Sequence, residues 1–365
     1  MNDSLGQEEL ELRRMCEEYE GLPYNAQRLS SVQQALALAE RLKAHELRIR
    51  IRYDLAWACA MCDDPAKALP VCAEYFALRD QFPDLRRPSY EGPSAAMIAA
   101  YVAITLPQIP LERCRALLEQ FHQQVRRCGL GERLWQMHAC HFSLVTGDAP
   151  AAEAHLAAFR ATPRDDISDC PACEAGNAAE CLLWLGRREE AEAVVRPVLE
   201  GNLTCEQQPQ GILSMLINDD LDHGNLAGAA AYSRRLERIS CRSRADLGHM
   251  GALLRCRAYT EPESGLALLE RGIGWSLGMW DRQMLFNFYL GAWVLCTELS
   301  NETISLRLSK RFPLYRDEGL YSPKTLARWF YEQAESIAAR FDARNGSDRF
   351  GRTLERAGNA ITPRL

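Results

Sequence analysis

Apolar residues in this chain recur at helical spacing, in runs of about fifteen residues that end at glycine, proline or asparagine. The stretch from Ala44 to Cys62 is a clear case: Leu47, Ile51, Leu55, Ala58 and Cys62 step by four, four, three and four, which is one stripe of an α-helix. Residues 24–42 give another, through Leu29, Val32, Leu36, Ala39 and Leu42. Between Ala161 and Cys241 the runs pair up. One helix passes through Ala178, Leu182 and Leu185 to Gly186, a turn follows, and Arg187–Glu190 opens a second helix with Ala191, Ala193, Val194, Val198 and Leu199. Gly201 ends it, and the pattern restarts with Ile212, Leu213, Leu216, Ile217, Leu221, Gly224, Ala229 and Ala231. This is a helical hairpin, repeated.

A frame of five free positions, a small residue, one free position and an alanine, set with Gly186 first, recurs from Ser30, Met61, Ile109, Gly147, Gly224 and Thr260. Over the central copies the interval is about 38 residues, because a hairpin that cannot bury its own apolar face must stack on a neighbour of equal length. The expected small pairs are Ala35/Ala37, Ala66/Ala68, Cys114/Ala116, Ala152/Ala154, Ala191/Ala193, Ala229/Ala231 and Gly265/Ala267, each allowing close helix approach. The fold expected is all-α, an α-solenoid of stacked antiparallel hairpins. Residues 1–23 are expected as an N-terminal capping helix, 24–275 as repeats, 276–344 as a C-terminal helical cap and 345–365 as a frayed basic tail. The Pro-rich insert from Phe82 to Ser94 reads as a packed or functional loop, and Asn301–Pro313 as a short helix.

The junction Leu182-Leu183-Trp184-Leu185-Gly186-Arg187-Arg188-Glu189-Glu190-Ala191 resembles the helix-turn-helix junction of tetratricopeptide repeats, over roughly residues 25–275. The period here is a few residues longer than the usual one, and no copy carries the full Trp-Leu-Gly-Tyr signature. The resemblance implies a solenoid whose inner helices bind a protein or peptide, but the family's Lys and Asn clamp for a terminal carboxylate has no counterpart set here. The block Asp169-Cys170, Cys173-Glu174, Leu199, Gly201, Cys205 and Pro209 is similar to uncharacterised bacterial helical-repeat proteins, with Gln210 where that pattern would place a histidine.

A net charge of −6 gives no chain-wide basic field, so nucleic acid is a poor default partner. From Arg340 onward six Arg face three acidic residues, a local excess expected to be a soluble tail. No run approaches the roughly 18 apolar residues of a membrane span, and the acidic N-terminus is unlike a signal peptide. The reading is therefore cytoplasmic, with reduced thiols among the fourteen cysteines.

The chain has no Gly-x-Gly-x-x-Gly, no Walker lysine, no Gly-x-Ser-x-Gly and no calcium loop, which removes the common phosphate-cofactor and hydrolase classes. The role expected is a non-catalytic, protein- or peptide-binding scaffold: an adaptor, a chaperone-like factor or a peptide-responsive regulator. The rivals are an immunity-type antagonist of one toxin or enzyme, and an enzyme that uses the central Cys and His residues. Partner binding is expected on the concave surface between about Arg48 and His141, where inner helices carry Arg48, Arg52, Trp57, Trp135 and His138. For Arg48 and Arg52 the alternative is a solvated basic face pairing with Glu46 or Asp54. His138 and His141 stand one turn apart, facing either a common site or the core. One constellation has metal-like spacing, Cys170-x-x-Cys173 with Cys205 about 35 residues on. Unlike Cys59-x-x-Cys62, which lies inside a helical run, it follows the non-helical Thr162–Asp166. The expectation is one structural Zn²⁺ with a fourth ligand among Cys181, Cys241, a histidine or water, against three free thiols.

Overall fold

The computed structural model describes residues 2–205 and 207–361 and shows an all-α protein. Successive helices pack in chain order, as in an α-solenoid. The chain forms two compact units, the first reaching Leu130 and including Ser243–Ala245, the second comprising Gly131–Arg242 and the chain from Asp246.

The first unit holds α1 (Asn2–Glu20), α2 (Ala26–Leu42), α3 (His45–Cys62), α4 (Ala68–Gln81), α5 (Glu91–Ile104) and α6 (Leu111–Arg127). The α1 helix packs on α2 through Leu12, Cys16 and Tyr19, a four-then-three stripe, while Leu10 stays exposed. Asn25 starts α2 because its side-chain oxygen accepts from the amides of Gln27 and Arg28. The Pro-rich insert is a packed loop as far as Tyr90, and Glu91–Ser94 form the first turn of α5: Phe82 and Leu85 lie against Ile49, Tyr75, Leu78 and Ala95, and Phe82 stacks on His45 at 4.1 Å.

The second unit holds α7 (Arg133–Thr146), α8 (Ala149–Ala161), α9 (Pro171–Trp184), α10 (Arg188–Leu199), α11 (Gln210–Asp222), α12 (Leu226–Ile239), α13 (Leu247–Thr260), α14 (Leu266–Ser276), α15 (Arg282–Glu298), α16 (Pro323–Asn345) and α17 (Arg349–Ile361). Each odd-numbered helix from α7 to α13 pairs with the next as a hairpin, and α7, α9, α11, α13 and α15 also touch one another in turn. They form a row of first helices. Gly147, Gly186 and Gly224 close the three central hairpins with φ of +82°, +74° and +78°, a backbone region that a side chain penalises.

In most copies only the first residue of the small pair explains the repeat; Ala66/Ala68 is the exception, with both alanines buried. Ala152, Ala191, Ala229 and Gly265 are buried against the partner helix, whereas Ala154, Ala193, Ala231 and Ala267 face solvent. The match at Ser30 is also out of phase: its pair falls deep inside α2, while the other six straddle a turn between paired helices. The tightest crossing belongs to α13 and α15, where a Cβ on Gly251 would stand 2.1 Å from the Asn287 carbonyl oxygen. The two backbones touch, so only glycine fits.

Two expectations about the C-terminal third are corrected. Asn301–Pro313 is not a helix; it carries β1 (Ile304–Ser305), paired antiparallel with β2 (Leu320–Tyr321), where the β-branched Thr303 and Ile304 favour extended backbone. Residues 345–365 are not a frayed tail as far as the described residues reach. Phe350, Leu354 and Ala357 of α17 are buried, Phe350 stacks on Phe341 at 4.2 Å, and the Asp342 carboxylate accepts from the amides of Phe350 and Gly351. The arginine excess hid a four-then-three apolar stripe.

Candidate metal centre

The three cysteines meet because two local structures aim them at one point. Arg133 and Arg164 both bind Glu174 in the first turn of α9, and Arg164 also donates to the Asp169 carbonyl, so the 162–169 loop is tied down beside the helix start. Arg133 is further held over the Phe159 ring and donates to the carbonyls of Phe159 and Thr162. Asp165 accepts from the Gly131 amide and from Ser168. Cys170 is then the N-cap of α9, with Pro171 next, and its sulfur accepts from the Cys173 amide at 3.3 Å. The spacing of N-cap to third helical residue is that of a capping box, which folds the two side chains toward each other.

Cys205 arrives from the segment between α10 and α11. Gly201 turns the chain at φ +81°, the amides of Asn202 and Leu203 return to the Pro197 carbonyl, and Arg235 donates to the Leu199 carbonyl. The Cys173 and Cys205 sulfurs stand 3.4 Å apart, with Gln207 Oε1 3.8 Å from Cys173 Sγ. All three sulfurs lie within 4.8 Å of one another. Thiolates bound to one zinc at about 2.3 Å need sulfurs roughly 4 Å apart, so the preformed triangle requires only small adjustments. A hydrogen bond from Cys173, helped by the amides of Gln207 and Gln208, pulls the Cys205 thiol down to about 6. Cys173 moves up, through that same bond and then burial, while burial raises Cys170 and Asp169. The hydrogen bond between them pushes the two thiols in opposite directions, Cys205 toward the thiolate and Cys173 toward the thiol.

The proposed protein ligands for a fourth position are elsewhere. The Cys181 thiol is hydrogen-bonded with the free thiol of Cys140, and both sulfurs approach the Ala152 carbonyl. Cys241 lies against Ser240 Oγ at 3.4 Å. No histidine joins the group among the described residues, which leaves water from the original set. Glu206, beside Cys205, lies outside the described residues.

The partner residues divide between the units. Arg48 and Arg52 do project from one face of α3, but neither is an open charge: both bind Glu40, and Arg52, only 9% exposed, also binds Glu74 at 3.0 Å. The acids differ from the Glu46 and Asp54 named by the sequence, because the pairing is made with α2 and α4 rather than along α3. Asp54 instead accepts from the Tyr19 hydroxyl at 2.6 Å. Trp57 is half-buried and bonds with Tyr53. In the second unit Trp135 is half-buried, edge-on to His155 of α8, and burial pulls His138 down to about 3, so its imidazole is neutral.

A cluster that sequence reading missed surrounds His141. Its Nδ1 lies 3.7 Å from Glu180 Oε2 of α9. Arg349, from the start of α17, stands over the Trp184 ring at 5.7 Å, and its charge favours the Glu180 carboxylate. Burial resists that carboxylate, yet the His141 hydrogen bond and Arg349 hold it below its usual range; burial also lowers Arg349 to about 10. Nearby, Asn345 donates to the Val145 carbonyl at 3.0 Å. These groups fasten the α16–α17 corner onto α7 and α9, a contact spanning about 200 residues of sequence that no local spacing announces. Two surface hollows, of about 230 and 300 Å³, lie apart from both clusters, one at the α16 start around Tyr321 and Thr325, the other between Glu261 and Glu298. No helix among the described residues is long and apolar enough to cross a membrane. No family model matches the chain, and no curated protein matches it.

Proposed function

We propose that the protein is a non-catalytic helical-repeat scaffold, tetratricopeptide-like in its hairpins, that binds a protein or peptide along the first-helix row of its second unit. The observation that supports this is the make-up of that row: Trp135 and His138 of α7, Asn177 of α9 and Gln210 of α11 are partly exposed polar and aromatic side chains on successive first helices. Such a mixture suits recognition of a polypeptide, which offers backbone amides and apolar side chains together. Arg48 and Arg52 are assigned to holding α2, α3 and α4 together.

Zinc bound by Cys170, Cys173 and Cys205 is the metal part of the same proposal. Three thiolates select a soft or borderline ion, and zinc would join the first turn of α9 to the segment that leads into α11. It would keep two neighbouring hairpins in register and so hold the recognition row in shape. The position left to water favours the rival enzyme reading to this extent, since open zinc sites are the form used in catalysis.

The test is affinity capture from the native cell lysate by wild type and by Trp135→Ala and Gln210→Arg variants that melt like wild type. The proposal expects at least one protein enriched by wild type and lost from both variants. Equal capture by all three would move the binding surface away from this row.

A further inference from the structure

The two sulfurs at 3.4 Å have a second chemistry open to them. We propose that Cys173 and Cys205 are a peroxide-responsive pair, which a hydroperoxide converts into a disulfide joining the first turn of α9 to the segment before α11. Geometry selects this pair. A disulfide needs sulfurs about 2.05 Å apart, so the gap closes by little more than an ångström, with one partner on a loop that can follow. Cys170 is nearby, but its sulfur is held as the N-cap acceptor for the Cys173 amide. Cys140 and Cys181 are both buried, at 4% and 0% exposure, and peroxide has no route to them comparable with that to half-buried Cys205.

The steps balance with peroxide as the one oxidant. The Cys205 sulfur attacks a peroxide oxygen, the O–O bond breaks, and one water leaves as Cys205 becomes a sulfenic acid. The buried Cys173 sulfur then attacks Cys205; the S–O bond breaks, a second water leaves and the S–S bond forms. Two thiols are oxidised by two electrons and hydrogen peroxide is reduced to two waters. A disulfide sulfur is a poor zinc ligand, so in the metal-bound protein the same oxidation expels the ion. That last consequence rests on the zinc reading; the pair itself does not.

The experiment treats chelator-stripped and zinc-loaded full-length protein with hydrogen peroxide, maps the product by peptide mass spectrometry and follows zinc with a chromogenic chelator. Stripped protein should lose the mass of two hydrogens, carry a Cys173–Cys205 link and recover on dithiothreitol. The link should vanish in Cys173→Ser and Cys205→Ser and persist in Cys170→Ser. Zinc-loaded protein should release one zinc per link formed. A link mapped to Cys170, or Cys205 carried to sulfinic acid with no link, would overturn the proposal. Wild-type mapping decides this even where a variant folds poorly. Protein that forms the link but never takes up zinc would refute the metal reading alone, whereas protein that holds zinc and forms no link once stripped would refute only the redox pair.

Discussion

Cys59-x-x-Cys62 and Cys170-x-x-Cys173 have the same spacing and different surroundings. The first lies inside α3, where Cys62 donates back to the Ala58 carbonyl and burial pushes Cys59 up to about 11. The second straddles the start of α9, where the backbone has not yet closed its own hydrogen bonds, and there it meets Cys205. Within a helix the carbonyl four residues back absorbs a thiol; at the N-cap the free amides attract a sulfur carrying negative charge. Spacing therefore says little until the helix boundary is known.

The largest effect that sharpens this contrast is metal-linked stability. With free zinc a thousandfold above the dissociation constant, wild type should gain about 4 kcal/mol over the stripped protein. Cys59→Ser and Cys62→Ser should keep that gain, and Cys173→Ser should lose it, as calorimetry with and without zinc would read.

Next in size is reactivity. In stripped protein at pH 7, Cys205 should react with iodoacetamide roughly thirty- to a hundredfold faster than Cys59, the thiolate fraction outweighing the lower nucleophilicity of a more acidic thiol. The sign with pH follows from the directions of the shifts. The rate at Cys205 should fall as pH drops through about 6 and level off above it, while the rate at Cys59 should still be climbing near 11. Equal profiles would remove the electrostatic difference between the two pairs.

The smallest effect is packing. Cys59→Ser buries a hydroxyl where a thiol served as an apolar group and should cost about 1–2 kcal/mol, whereas Cys62→Ser can keep the bond to Ala58 and should cost under about 1 kcal/mol. Urea melts of the two variants separate these outcomes.

The helices were legible because burial follows the period: Ile51, Leu55 and Ala58 of α3 are core residues, and Gly147, Gly186 and Gly224 sit at real left-handed turns. The cysteine triangle was legible because Thr162–Asp166 broke the helical pattern just ahead of Cys170. What stayed hidden depended on partners distant in sequence. Arg52 looked like an exposed charge because Glu40 and Glu74 lie on other helices. Glu180 and Arg349 carried no pairing signal at all, and the arginines around Arg349 made a packed helix resemble a soluble tail.

The most direct measurement is zinc content by elemental analysis of wild type and Cys205→Ser purified without chelator. Three converging cysteine sulfurs predict about one zinc per wild-type chain and almost none in the variant, with both proteins folded. Wild-type protein holding less than about a tenth of an equivalent after zinc is supplied, or a variant that holds as much as wild type, would contradict the account.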